Sequence, residues 1–234
     1  MDEWSLIMSD KPTNSALQAV TVWDISVRIF HWSLVAGIGF LWYSGEEGGN
    51  IMTWHMYVGY TMLGLILYRL LWGIYGSTYA RFSYFIKSPG KTFNYAKDFL
   101  KGESPHYLSH NPLGGWMAIV LMSLVFIQAA TGLFATDDII TEGPLFSLVD
   151  ESTAYLLTEI HEINFNLLLL CAGLHIAAVL YHRFVKGEDL VKSMITGKKN
   201  VALTPSAGLK FSWYKMLLTA GLVGASIYGL VNMT

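Results

Sequence analysis

Polar and apolar positions in this chain segregate on the scale of a bilayer rather than of one helix face. Uncharged runs of 17, 21, 33 and 20 residues lie between Arg28 and Glu46, Glu47 and Arg69, Glu103 and Asp137, and Glu162 and Arg183; 19 more follow Lys215. A helix needs about 20 apolar residues to cross a membrane. The pattern therefore predicts five spans, at about 26–44, 51–74, 114–136, 157–184 and 212–231. The six prolines, at 12, 89, 105, 112, 144 and 205, all fall outside these spans, as expected of a residue that breaks helix interiors. Asn111-Pro112 followed by Gly114-Gly115 marks the break before the third span. The fold class expected is an all-α integral membrane protein.

Composition narrows the chemistry. Of 234 residues, 53% are hydrophobic and 14% charged, against about 25% charged in soluble domains. Fifteen bases and 17 acids nearly cancel, so there is no basic field of the kind nucleic acid requires. The single cysteine, Cys171, excludes an intramolecular disulfide, a covalent c-type haem and a thiolate-based zinc or iron–sulfur centre. Asp2, Glu3, Asp10 and Lys11 interrupt the first 20 residues, so the first span reads as an uncleaved anchor.

Basic residues cluster in the 76–113 loop and the 183–215 segment. The 45–53 loop and the 137–162 segment carry nine acids and no bases: Glu46, Glu47, Asp137, Asp138, Glu142, Asp150, Glu151, Glu159 and Glu162. By the positive-inside rule the N-terminus is expected in the cytoplasm and the C-terminus outside. Trp and Tyr near the helix ends suit an interfacial belt.

Five histidines lie in or at the spans: His31, His55, His161, His175 and His182. One such residue reads as a hydrogen bond to a neighbouring helix; five at organised depths read as function. His161 and His175 are 14 residues apart, about four turns, so they share a face about 21 Å apart along the axis. His55 with His161 would form an outer site, and His31 with His175 an inner one. Haem iron takes two axial ligands and is well served by imidazole, whereas zinc or copper would want three or four. Two b-type haems are the expected cofactors, with His31, His55, His161 and His175 as iron ligands. His182, seven residues beyond His175, shares nearly the same face. Pairing through it would separate the sites by about 31 Å, so it reads as a boundary or propionate-side residue. Arg28 and Arg69 read first as positive-inside anchors and second as propionate contacts. His106 and His110 read as ordinary exposed histidines, with a quinone or propionate role as the alternative. Gly37, Gly59, Gly64, Gly132 and Gly173 would let a flat macrocycle approach the backbone or serve plain helix packing.

With these residues placed, the chain resembles the bacterial dihaem cytochrome b561 family, which includes the membrane cytochrome b subunits of nickel–iron hydrogenases. The matching segments are Val22-Trp23-Asp24 through Arg28-Ile29-Phe30-His31-Trp32, Trp54-His55-Met56-Tyr57-Val58-Gly59-Tyr60 and Tyr68-Arg69-Leu70-Leu71-Trp72-Gly73. Tyr107-Leu108-Ser109-His110-Asn111-Pro112-Leu113-Gly114-Gly115-Trp116, Thr131-Gly132-Leu133-Phe134, His161-Glu162, Gly173-Leu174-His175 and Met194-Ile195-Thr196-Gly197 complete the set. The resemblance implies a four-helix haem-binding transmembrane bundle over 22–199, with the four ligands above, after an N-terminal cytoplasmic segment (1–21). The 200–234 linker and fifth helix depart from the family pattern.

The resemblance also implies electron exchange between membrane quinone and a redox partner at the outer face of the bacterial inner membrane. The acidic outer loops favour a partner with a lysine-rich patch, a periplasmic c-type cytochrome first and a hydrogenase second. The chain then reads as an electron-transfer subunit with quinone oxidoreductase activity. Superoxide:quinone oxidoreduction is the alternative within the family, although an anionic substrate suits negative loops poorly. A haem-independent transporter or anchor subunit is the alternative of another class, without the intramembrane acids or broken helices of transporters.

Overall fold

The computed structural model describes residues 18–137, 141–201 and 208–232. Most of the expected N-terminal segment, Asp138 and most of the linker therefore lie outside the described residues. Five helices are long and apolar enough to cross a membrane: α1 (Ile25–Glu47), α2 (Met52–Tyr75), α5 (Pro112–Gly132), α6 (Glu151–Phe184) and α8 (Trp213–Val231). Between them lie α3 (Phe82–Phe85), α4 (Pro89–Lys101) and α7 (Leu190–Thr196). Strand β1 (Gln18–Thr21) pairs antiparallel with β2 (Lys198–Val201), from Gln18 opposite Val201 to Thr21 opposite Lys198.

Side-chain caps set most helix starts. Asp24, Asn111, Asp150 and Ser212 accept from the backbone N–H of Val27, Gly114, Thr153 and Lys215 to open α1, α5, α6 and α8. Pro112 sits in the first turn of α5, where its missing N–H costs nothing, so this span begins two residues before the expected position. The Asp150 cap likewise starts α6 six residues early. Glu151, Glu159 and Glu162 consequently ride on a helix rather than in a loop. At its other end α5 stops at Gly132, four residues short of the expected limit. Gly48 and Gly49, at φ +64° and +60°, make the tight turn from α1 to α2 in a region that favours glycine.

Helix α5 packs along α6 and α2, α1 packs along α2, and α8 packs on the far side of α2. At that last contact Gly64 faces Val223 and Ile227 of α8, and Tyr75 and Thr219 share a 2.6 Å hydrogen bond between hydroxyls. Helix α6 makes little contact with α1 or α2, so a gap separates it from that pair. One end of the bundle carries the acids. The other, basic end is elaborated by α3, α4, α7 and the two strands. Asp24 ties that end together: besides capping α1 it accepts from Trp72 Nε1 at 3.1 Å and from the Ser77 hydroxyl.

Candidate cofactor site

Four of the membrane histidines meet in two pairs across the gap beside α6. His31 of α1 faces His175 with ring centroids 6.5 Å apart and planes tilted by 55°. His55 of α2 faces His161 with centroids 6.5 Å apart and a 59° tilt. A direct hydrogen bond between two imidazoles would bring their centroids to about 5 Å. One metal ion about 2.0 Å from a nitrogen of each ring sets them about 6.3 Å apart, which is the spacing seen. Among the described residues, no three or more His, Cys, Asp or Glu side chains gather as a metal-ligand cluster. Each pair thus suits a metal whose other positions are filled by its own macrocycle, as in haem.

At the acidic end the ring orientation is set by two residues the histidine pattern does not disclose. Ser44 donates its hydroxyl proton to the Phe40 carbonyl at 2.9 Å, leaving its oxygen to accept from His55 Nδ1–H at 2.9 Å. Thr131 repeats the device: it donates to the Ile127 carbonyl at 2.8 Å and accepts from His161 Nδ1–H at 3.2 Å. A proton held on Nδ1 leaves the Nε2 lone pair free for iron. The sequence signal is a hydroxyl followed by glycine, Ser44-Gly45 near the end of α1 and Thr131-Gly132 at the end of α5. Of the two glycines, Gly132 is the one that makes room for a ring. A Cβ at Gly132 would lie 2.9 Å from His161 Cε1, and one at Gly45 3.5 Å from His55 Cε1. Gly132 therefore admits an imidazole rather than the backbone approach of a macrocycle. Gly37 faces Met62, Gly64 faces α8, and Gly59 and Gly173 meet nothing within 4 Å.

The basic end is built differently. His31 Nδ1 is buried with no protein partner, and so are Arg28 Nε, Arg69 Nη1 and His110 Nδ1. Arg69 is 4% exposed and donates through Nη2 to the Ala80 carbonyl at 3.0 Å. It is a buried cation, not the snorkelling anchor that the positive-inside pattern suggests. Arg28 donates through Nη2 to the Ile195 carbonyl. Nor is His110 the exposed loop histidine expected: its ring lies 4.9 Å from that of Trp23 and 4.4 Å from that of Phe85. Burial drives its imidazolium down to about 3, and the charges of Arg69 and Lys199 act the same way. Buried donors without partners are uncommon in native structures. Here they suit the acidic edge of a cofactor.

His182 pairs with neither His31 nor a second membrane histidine. Its Nδ1 meets Glu188 Oε2 at 3.0 Å and its Nε2 lies 3.5 Å from Asn111 Nδ2. The other carboxylate oxygen of Glu188 meets His106 Nδ1, so His106 too has a specific partner. Burial opposes ionisation of Glu188, but the His182 and His106 hydrogen bonds and the Lys199 charge bring its carboxyl down to about 2.

Residues 22–197 match the model of the family described as prokaryotic cytochrome b561. No curated protein and no solved structure matches the chain. With most of the chain covered, five apolar spans and histidine pairs at iron-bridging distance, this is a multi-pass membrane protein of b-type haem electron transfer, and it belongs to the prokaryotic cytochrome b561 family.

Proposed function

We propose that this chain is a dihaem b-type cytochrome that carries electrons across the bacterial inner membrane between the quinone pool and a redox partner at the periplasmic face. The observation that carries this reading is the repetition of the 6.5 Å histidine pairing at two depths. His55 and His161 would hold the outer haem and His31 and His175 the inner one. Two haems held by these residues would supply one-electron relay stations; their ligands His161 and His175 lie about 21 Å apart along α6. The chain's own work is to hold, orient and tune them. Ser44 and Thr131 orient the outer imidazoles, while Arg28 and Arg69, joined by His110, offer unpaired donors to the inner propionates.

The basic end is assigned to the cytoplasm, with the N-terminus there and the C-terminus periplasmic. The acidic end then faces the partner, a periplasmic c-type cytochrome or a hydrogenase. Rising ionic strength should slow electron exchange with such a partner; a rate independent of salt would remove the electrostatic argument for it. The test of the dihaem reading is a reduced-minus-oxidised spectrum with a pyridine haemochrome determination on purified protein. Two b haems per chain are expected. One haem, or none, would overturn the reading.

A further inference from the structure

We propose that His182 and Glu188 form an acid–base dyad that exchanges protons with a quinone bound at the basic end, with His106 as its exit to water. This rests on the quinone reading above and assigns the proton side of that reaction to named residues.

Three observations support it. The first is the dyad's geometry. Glu188, held as a carboxylate, accepts from His182 Nδ1–H at 3.0 Å. That fixes the tautomer in which Nε2 carries the lone pair, which meets only the long 3.5 Å contact from the Asn111 amide and is open to a quinol O–H when that contact gives way; a positive charge formed on the ring would lie beside the carboxylate. This is the division of labour of general-base histidines. The second is position. His182 is seven residues from His175 on one helix, so the two share a face about 10.5 Å apart along the axis. A ring bound at that end can therefore reach an electron path and a proton acceptor together. The third is a route to solvent. The second oxygen of Glu188 meets His106, whose side chain is 70% exposed, while that of His182 is only 11% exposed. A buried base, a bridging carboxylate and an exposed base thus run in series.

The other groups at the dyad fit this role. Phe99 of α4 lies over His182 with centroids 6.0 Å apart. Lys199 of β2 holds the Glu188 carboxyl down by its charge, and burial together with the Glu188 carboxylate raises the Tyr95 phenol of α4. Asn111 contacts His182 Nε2 and caps α5, whose next residues border an apolar groove of about 440 Å³ lined by Pro89, Thr92, Phe93, Ala96, Leu113 and Trp116.

In the oxidising direction a quinol O–H bond breaks and an N–H bond forms at His182 Nε2 as the quinol gives up one electron; a haem held by His31 and His175 would supply the one-electron acceptor. The proton passes through Glu188 to His106 in its Nε2–H tautomer, which takes it at Nδ1 and releases the Nε2 proton to water, and a second round completes the quinone. Quinone reduction runs the same steps backwards, with protons drawn from water.

The experiment is stopped-flow reduction of the haem-loaded protein by duroquinol between pH 5 and 9, in H2O and D2O, with dithionite as a reductant that needs no base. Wild type should show a solvent isotope effect above about 2. His182→Ala and Glu188→Gln should slow the duroquinol reaction by about ten- to a hundredfold, with haem content and dithionite reduction unchanged, and added imidazole should restore rate to His182→Ala. Unchanged rates in both variants would overturn the dyad. If neither variant retains haem, an isotope effect near 1 in wild type overturns it and one above 2 supports it. Failure of wild type to react with duroquinol while dithionite reduces it fully would instead defeat the quinone reading itself.

Discussion

The two histidine pairs have the same 6.5 Å spacing but are held by different parts of the fold. At the acidic end, hydroxyls on α1 and α5 hold both imidazoles, and each hydroxyl is anchored to its own helix one turn back. The environment of those rings is complete within the transmembrane helices. At the basic end His31 Nδ1 has no protein partner; the loop residue His110 before α5 lies near enough to feel both His31 and His175, and it shares that end with unpaired nitrogens of Arg28 and Arg69. A site finished by helices is rigid and suits a station that only passes electrons. One finished by loops and unpaired cations has room to bind an anion or move a proton. The division of labour between the two ends thus follows from which elements close each site.

Removing a ligand should have the largest effect. His161→Ala should abolish haem binding at the acidic end and leave one haem per chain, whereas His175→Ala should do so at the basic end. The two variants should lose different components of the reduced-minus-oxidised spectrum. Loss of both haems from either single variant would show that the two sites do not assemble independently, and the contrast drawn above would collapse.

Next come the hydroxyls. Thr131→Val and Ser44→Ala remove the acceptor of an Nδ1–H, and partners of this kind typically carry 10–100-fold in metal affinity, about 1.4–2.8 kcal/mol. The acidic-end haem should dissociate faster by that factor, with the basic-end haem unaffected. Equal loosening of both haems would mean that these hydroxyls serve the bundle rather than the ring.

The adjacent glycines sharpen the point by their inequality. At Gly132 a methyl group would press on His161 Cε1 at 2.9 Å; at Gly45 the contact with His55 is an ordinary 3.5 Å. Gly132→Ala should weaken the acidic-end haem. Gly45→Ala should leave it intact and gain up to about 1 kcal/mol from helix propensity. Melting curves followed at the haem band separate the two outcomes, and equal behaviour of the variants would refute the packing argument.

The spans and the histidine spacing were legible in the sequence because bilayer thickness and helix pitch impose lengths that composition displays directly. The helix ends were less so. Pro112 and Asp150 extend α5 and α6 because a first-turn proline and an aspartate cap are compatible with helix, while the charge pattern alone marks them as loop. The clustering at the basic end was hidden for another reason. Besides their local contacts, Asp24, His110 and Glu188 acquire partners from segments 48, 87 and 82 residues away: Trp72 meets Asp24, Trp23 packs on His110, and His106 meets Glu188. A lone loop histidine in sequence carries no sign of the carboxylate that will meet it. Ser44 and Thr131 are intermediate cases. Each lies beside a glycine at a helix end, a weak signal that becomes informative once the histidine opposite is known.

The smallest effect concerns protonation at the two ends. Both have one carboxyl well below its ordinary range, but for different reasons. Asp150 is brought to about 2 by hydrogen bonds from Ser152 and Thr153 within its own helix start. Glu188 reaches about 2 against the cost of burial, through His182, His106 and Lys199 from three other segments. A folded-state pKa below the unfolded one means that the stabilisation is present above the unfolded value of about 4.3 and is lost as pH falls towards 2. Acid should therefore only fray the start of α6 at Asp150, whereas at Glu188 it should release the loop that joins α6 to α7. Infrared difference spectra of wild type against Glu188→Gln would show this directly. No protonated-carboxyl band from Glu188 is expected at pH 4, and one should grow in near pH 2. A band already present at pH 5 would mean that the histidines do not hold this carboxylate, and the basic end would lose the feature that most distinguishes it from the acidic one.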